Sequence, residues 1–211
     1  MTVRGLYLVT DRGLCAGRAL EDVVARAVQG GVACVQLREK DLSTRAFLDL
    51  ALSLKALLAP LRVPLLINDR LDVALAAGAD GVHVGQGDMP AGLVRKFMGP
   101  GAIIGLSVET WEDVERAQDL EVDYLGVSPV FDTPTKTDTK AAWGLEGLQR
   151  IRAFSRHPLV AIGGLNLGNV AQAVRAGADG IAVVSAICAS PEPGTAARDL
   201  DGRIQAALRE R

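Results

Sequence analysis

Two carboxylates stand directly after short apolar runs. Leu66-Ile67-Asn68-Asp69 ends one run on a carboxylate, and Gly81-Val82-His83-Val84-Gly85-Gln86-Gly87-Asp88 brings a second after the next run. Alone, either aspartate would suit a helix cap or the surface. Together, with few other oxygen ligands, they suit Mg²⁺, which keeps several waters and binds substrate phosphate. A third strand end carries Gln36-Leu37-Arg38-Glu39-Lys40. Alternation along a strand puts Gln36, Arg38 and Lys40 on one side and Leu37 and Glu39 on the other. Two cations facing one space call for an anion there. Ser107 closes another run, and its hydroxyl could reach the same site or cap the following helix. Gly163-Gly164 and Val184-Ser185 end two more. Paired glycines let backbone N–H groups approach an anion closely, and a helix start beside them adds a favourable dipole. The residues thus point to two anion sites, one with metal and lysines, the other built from backbone.

Other candidates carry less. Gly85-Gln86-Gly87 would begin a dinucleotide fingerprint, but its next glycine would fall at Pro90. His83 is expected to act no closer than behind Asp88, and His157 has no assigned role. Cys15, Cys34 and Cys188 fit no zinc spacing and read as reduced packing residues of a cytoplasmic protein.

These strand ends need a scaffold that gathers them. Short β-branched runs at 5–10, 33–38, 65–68, 81–84, 103–108, 124–128, 159–163 and 180–184 alternate with amphipathic segments such as 20–29, 44–58, 111–120, 169–176 and 196–209. That alternation implies right-handed crossovers and a parallel sheet. Ala77-Gly78-Ala79-Asp80-Gly81-Val82 recurs as Ala176-Gly177-Ala178-Asp179-Gly180-Ile181, with a weaker echo at Gly30-Gly31-Val32-Ala33-Cys34-Val35. The offsets match four and two βα units of roughly 25 residues, which favours a (β/α)8 TIM barrel over an open sheet. A single catalytic domain over 1–211 is expected, with its site at the carboxyl ends of the strands. The polar stretch 131–143, between the sixth strand and its helix, is long for such a connection, which marks it as a candidate lid.

Composition excludes other classes. The net charge of −2, with scattered Lys and Arg, gives no field for nucleic acid. No apolar run is long enough to span a membrane, and the first residues lack a signal-peptide pattern. Small-molecule substrates remain. Oligomeric state leaves no signature.

Taken together, Gln36 through Lys40, Asn68-Asp69, Gly85-Gln86-x-Asp88, Gly105-x-Ser107, Thr133-x-Thr135-Lys136, Gly163-Gly164 and Val184-Ser185 resemble the thiamine phosphate synthase family. The likeness runs from the first strand to Ser185 and departs from the common pattern at Ser128 and Asp132. It implies that Gln36, Leu37, Arg38, Glu39, Lys40, Asn68, Ser107 and Lys136 hold an aminopyrimidine and its diphosphate. It implies that Asp69 and Asp88 ligate Mg²⁺, and that Thr133, Pro134, Thr135, Gly164, Val184 and Ser185 hold a thiazole phosphate. Arg38, Lys40 and Lys136 would then be the catalytic cations, stabilising charge on departing diphosphate as the thiazole nitrogen captures the pyrimidine-methyl group. The alternatives are a thiazole tautomerase of the same fold, a Schiff-base aldolase, and a non-catalytic regulator with the pocket intact.

Overall fold

The computed structural model describes residues 4–133 and 140–211. Eight parallel strands form a closed barrel in sequence order: β1 (Gly5–Val9), β2 (Cys34–Leu37), β3 (Leu65–Asn68), β4 (Gly81–Val84), β5 (Ile103–Val108), β6 (Tyr124–Val127), β7 (Leu159–Ala161) and β8 (Gly180–Val183). The ring closes where β1 pairs β8, Gly5 opposite Gly180 and Leu8 opposite Val183. The sequence-based strands are right in number and order. Five stop one to two residues short of the expected end, and β2 also begins a residue late, because chains diverge into loops at the barrel mouth.

Helices α1 (Leu20–Gln29), α2 (Thr44–Leu58), α3 (Leu71–Ala77), α4 (Ala91–Met98), α5 (Trp111–Ala117), α6 (Gly144–Phe154), α7 (Val170–Arg175), α8 (Ser185–Cys188) and α9 (Pro193–Arg209) surround the barrel. In α1, Leu20, Val23, Val24 and Ala27 recur at helical spacing and are buried, while Glu21 and Asp22 favour the positive end of the helix dipole. Ser43 caps α2 by accepting from the Ala46 N–H at 3.3 Å. Thr110 and Asp113 form a capping box on α5. Helix α7 starts one residue later than its pattern suggests, since Asn169 spends its side chain on the preceding turn. Helix α9 starts three residues earlier, at Pro193, whose ring suits a first helical turn.

Period-two alternation divides the apolar residues between two cores. Leu6, Leu8, Val35, Leu37, Ile67, Val82 and their outward-facing neighbours pack under the helices. Tyr7, Val9, Cys34, Leu66, Ile103, Tyr124, Val160 and Ala182 fill the barrel interior. Burial pushes the Cys188 thiol up to about 12 and raises those of Cys34 and Cys15 as well, so all three stay protonated packing groups. Among the described residues, no helix is long and apolar enough to cross a membrane.

Candidate active site

The inward strand parity continues into a cavity of ≈ 870 Å³ at the carboxyl ends of the strands. That volume is at the upper end of the range usual for small-molecule sites. Gln36, Arg38 and Lys40 from β2 and its loop line it together with Asn68, Asp69, Asp88 and Ser107. The glycine turn after β7 and the start of α8 supply Gly164, Val184 and Ser185, and Thr133 borders the same space. Residues that sequence spacing assigned to two anion sites therefore share one cavity.

Two assignments need correction. Leu37 and Glu39 do not line the cavity. Leu37 is fully buried beneath the helices, and Glu39 accepts from the Arg12 guanidinium at 3.4 Å. Their neighbours in the motif face inward, so strand alternation turns these two side chains away. Pro134, Thr135 and Lys136, with the middle of the expected lid at 134–139, lie outside the described residues.

The metal reading can be tested on the donors. The Lys40 ammonium donates to Asp69 Oδ2 at 2.8 Å, and the Asn68 amide donates to Asp69 Oδ1. Asp69 has φ +62, a left-handed conformation uncommon outside glycine, held by its N–H donating to the His83 carbonyl at 2.8 Å. Strain of this kind clusters at functional sites. Asp88 Oδ2 accepts from the Gly85 N–H at 2.7 Å. Burial lifts the Asp88 carboxyl above its ordinary range; the Gly85 N–H opposes this, and the adjacent Asp69 carboxylate adds to it. Two crowded carboxylates of this sort are relieved by a divalent cation. Among the described residues no group of three or more His, Cys, Asp or Glu converges. The chain thus offers two hard oxygen donors and leaves the remaining positions to water or phosphate, a donor set that fits Mg²⁺.

The opposite wall is mainly backbone. Gly163 and Gly164 have φ +99 and +64, and a Cβ on either would meet Pro129 or Phe131 at 2.6 Å. The turn is locked from behind, where the Asn169 amide donates to the Gly164 carbonyl at 2.9 Å and the Gly168 N–H donates to Asn166 Oδ1 at 2.8 Å.

Below the mouth lies a polar chain absent from the sequence reading. Gln36 Nε2 donates to the Tyr7 hydroxyl at 2.7 Å, and the Tyr7 and Tyr124 hydroxyls are 2.9 Å apart. His83 Nδ1 is 2.8 Å from the Tyr124 hydroxyl, and His83 Nε2 is 2.8 Å from Ser107 Oγ. His83 thus bridges Tyr124 and Ser107. Lys140 is a further cation on the cavity wall that no motif marked. His157 is buried elsewhere, its Nε2 2.9 Å from the Ala117 carbonyl, and burial lowers its pKa.

Comparison with known proteins agrees with this geometry. A family model described as thiamine monophosphate synthase matches residues 6–187. A thiamine-phosphate synthase of Albidiferax ferrireducens is 61% identical over 201 residues, covering 95% of this chain and 92% of that one. One from Leptospira biflexa is 54% identical over 195 residues, covering 90% and 93%. A solved thiamine phosphate pyrophosphorylase from Pyrococcus furiosus superposes with TM-score 0.88 at 35% identity, covering 97% and 96% of the two chains. A 3-hexulose-6-phosphate synthase shares the barrel alone, at TM-score 0.71 and 18% identity. Fold, strand-end residues and relatives agree: the chain belongs to the thiamine monophosphate synthase family.

Proposed function

We propose that this chain is a thiamine-phosphate synthase that joins an aminopyrimidine-methyl diphosphate to a thiazole phosphate, releasing diphosphate, with Mg²⁺ as cofactor. The observation that carries the reading is the single cavity with Asp69, Asp88, Arg38 and Lys40 on one wall and the Gly163-Gly164 turn with Ser185 on another. The first wall suits a diphosphate, the second a phosphate monoester.

Asp69 and Asp88 would hold Mg²⁺, which supplies charge neutralisation to the leaving diphosphate when bound. Arg38 and Lys40 add fixed positive charge at the same end, and Lys40 can pass from Asp69 to a phosphate oxygen once the cation shares that carboxylate. Lys136 is assigned to the same task from the family motif. Gln36, Asn68 and Ser107 orient the pyrimidine. Gly164, Val184 and Ser185, with the Thr133 to Thr135 stretch, hold the thiazole phosphate so that its ring nitrogen faces the methylene carbon. The bond to diphosphate breaks, the C–N bond forms, and no side chain needs to take up a proton. Lys40 is half exposed and paired with Asp69, which does not favour a Schiff base. The relatives described above are named as synthases, and a tautomerase gains no support from them. Three reduced, buried cysteines fit a reducing compartment such as the cytoplasm.

Incubating the protein with both substrates, with and without Mg²⁺, tests the proposal. Thiamine phosphate and diphosphate should appear in equal amounts and only with the metal. Product formed equally well after exhaustive chelation would remove Mg²⁺ from the reading; no product under any condition would remove the function.

A further inference from the structure

The two cations of the diphosphate wall are held in different ways. Lys40 is aimed by a side chain, donating to Asp69 Oδ2 at 2.8 Å. Arg38 is not: among the described residues no hydrogen bond or ion pair holds its guanidinium, although the side chain lines the cavity. A long, flexible side chain without a partner points where its backbone sends it. What fixes the Arg38 backbone therefore decides whether the charge meets a diphosphate or swings wide of it.

The neighbouring strand fixes it. Strand β1 ends at Val9, paired with Gln36 of β2, and the Thr10 N–H still donates to the Gln36 carbonyl at 2.9 Å. The next rung of a parallel ladder would carry the Arg38 N–H to the Thr10 carbonyl. By then the chain is turning into the single 3₁₀ turn Arg12–Cys15, whose start Asp11 caps by accepting from the Leu14 N–H at 3.3 Å. The Thr10 side chain takes over the rung, with Oγ1 accepting from the Arg38 N–H at 3.0 Å. A backbone N–H can only donate, so the direction of this bond is settled. Thr10 thus grips both inward-facing residues at the end of β2, Gln36 through its N–H and Arg38 through its hydroxyl.

Thr10 is fully buried and does not line the cavity, so it acts on a substrate only through its neighbours. Its branched Cβ restricts χ1 and keeps Oγ1 in one place. On the other face of the same strand end, Glu39 accepts from the Arg12 guanidinium at 3.4 Å, its side chain only 6% exposed. The segment after β1 therefore braces the end of β2 from both sides, and the alternation that turns Arg38 inward survives one residue beyond the sheet. Without the hydroxyl the Arg38 N–H has to find another acceptor, and rotating the backbone toward one carries the guanidinium with it.

We propose that Thr10 is a positioning residue for the alkyl transfer, its hydroxyl aiming the Arg38 guanidinium at the departing diphosphate through the Arg38 backbone. The inference rests on the diphosphate wall proposed above. Electrostatic stabilisation works only where the charge is placed beforehand, and a displacement of about 1 Å can cost about a hundredfold in rate.

A double-mutant cycle tests this. The constants kcat and KM for both substrates are measured with Mg²⁺ in the natural protein, Thr10→Val, Thr10→Ser, Arg38→Ala and the double variant Thr10→Val/Arg38→Ala. Valine keeps the branched shape and loses the acceptor; serine keeps the acceptor. Thr10→Val should lower kcat/KM for the pyrimidine diphosphate by about tenfold or more, with KM for the thiazole phosphate unchanged, and Thr10→Ser should keep most of the activity. Because Thr10 acts through Arg38, adding Thr10→Val to Arg38→Ala should cost no more than about a further twofold. A folded Thr10→Val as active as the natural protein overturns the proposal. So does a loss that serine does not restore, or one that persists undiminished beside Arg38→Ala. Should Thr10→Val not fold, Thr10→Ala takes its place in the cycle; if neither folds, Thr10 serves the fold and the proposal falls. Calorimetric binding of inorganic diphosphate with Mg²⁺ to the same proteins separates the inference from the reading beneath it. Binding weakened by Thr10→Val in the natural background but not beside Arg38→Ala, without thiamine phosphate from any of the proteins, sinks the synthase reading and keeps this one.

Discussion

The two ends of the barrel use the same residue types, aspartate with lysine or arginine, for opposite purposes. At the amino-terminal end the arrangement repeats three times. Asp80 accepts from the Leu65 N–H at 2.8 Å and from Lys55 at 2.7 Å; Asp123 accepts from the Ile104 N–H at 2.7 Å and from Arg95 at 2.7 Å. Asp179 accepts from the Leu159 N–H at 2.9 Å and from Arg152 at 3.2 Å. In each case an aspartate just before an even-numbered strand ties down the start of the preceding strand and a helix cation. Each of these charges is answered within the protein. At the carboxyl end Asp69 and Asp88 crowd each other, Asp69 adopts a left-handed backbone, Lys40 answers Asp69 alone at 2.8 Å, and Arg38 lines the open cavity. Charge fully satisfied internally stabilises; charge only partly satisfied waits for a ligand.

The largest effect should come from breaking the upper end. Asp88→Ala removes a metal carboxylate and is expected to lower kcat by about a hundredfold or more, corresponding to about 3 kcal/mol of lost electrostatic stabilisation. Its melting temperature should hold or rise, since a crowded carboxylate is gone. Steady-state kinetics beside a thermal melt reads both; a marked fall in Tm would mean that Asp88 is structural. The lower end should show the reverse. Asp179→Ala leaves a strand N–H and a partly buried arginine without their acceptor, at a cost of roughly 2–3 kcal/mol, or about 5–10 °C in Tm for a domain of this size. Its kcat at 25 °C should stay within about twofold of the natural protein. A kcat loss without a Tm loss would erase the division between the two ends.

Much of this was legible in the sequence, and what was not has a physical cause. The repeat containing Asp80 and Asp179 marked the period of the barrel, and the structure shows why the aspartate recurs: it performs the same anchoring in both units. Asp123 does the same work in Glu121-Val122-Asp123, where the glycines around it have gone and the pattern was invisible. Upper-end residues were found because a barrel brings every strand end to one face, and alternation then selects Gln36, Arg38 and Lys40. Leu37 and Glu39 were assigned with their motif as a block, against the alternation that separates them. Tyr7 and Tyr124 were missed because a tyrosine within an apolar strand reads as core. Their hydroxyls meet only when the closed ring brings together residues 117 positions apart. A weak signal was present: inward-facing Gly105 and Gly126 flank the strand positions around His83, and such gaps imply a large polar neighbour.

The smallest expected effect sharpens the contrast. Arg175 pairs with Glu210 at 2.8 Å, and both side chains are 55% exposed. The same charges meet here in solvent, where high dielectric and side-chain entropy leave such pairs worth about 0–1 kcal/mol. Arg175→Ala should shift Tm by no more than about 2–4 °C and leave kcat unchanged. The value of the experiment lies beside Asp179→Ala. If the exposed pair costs as much as the anchored one, the lower-end aspartates stabilise through charge alone, and their backbone N–H partners contribute nothing. If it costs a few-fold less, the stabilisation comes from satisfying strand N–H groups that water cannot reach, the one thing Asp80, Asp123 and Asp179 share and Glu210 lacks.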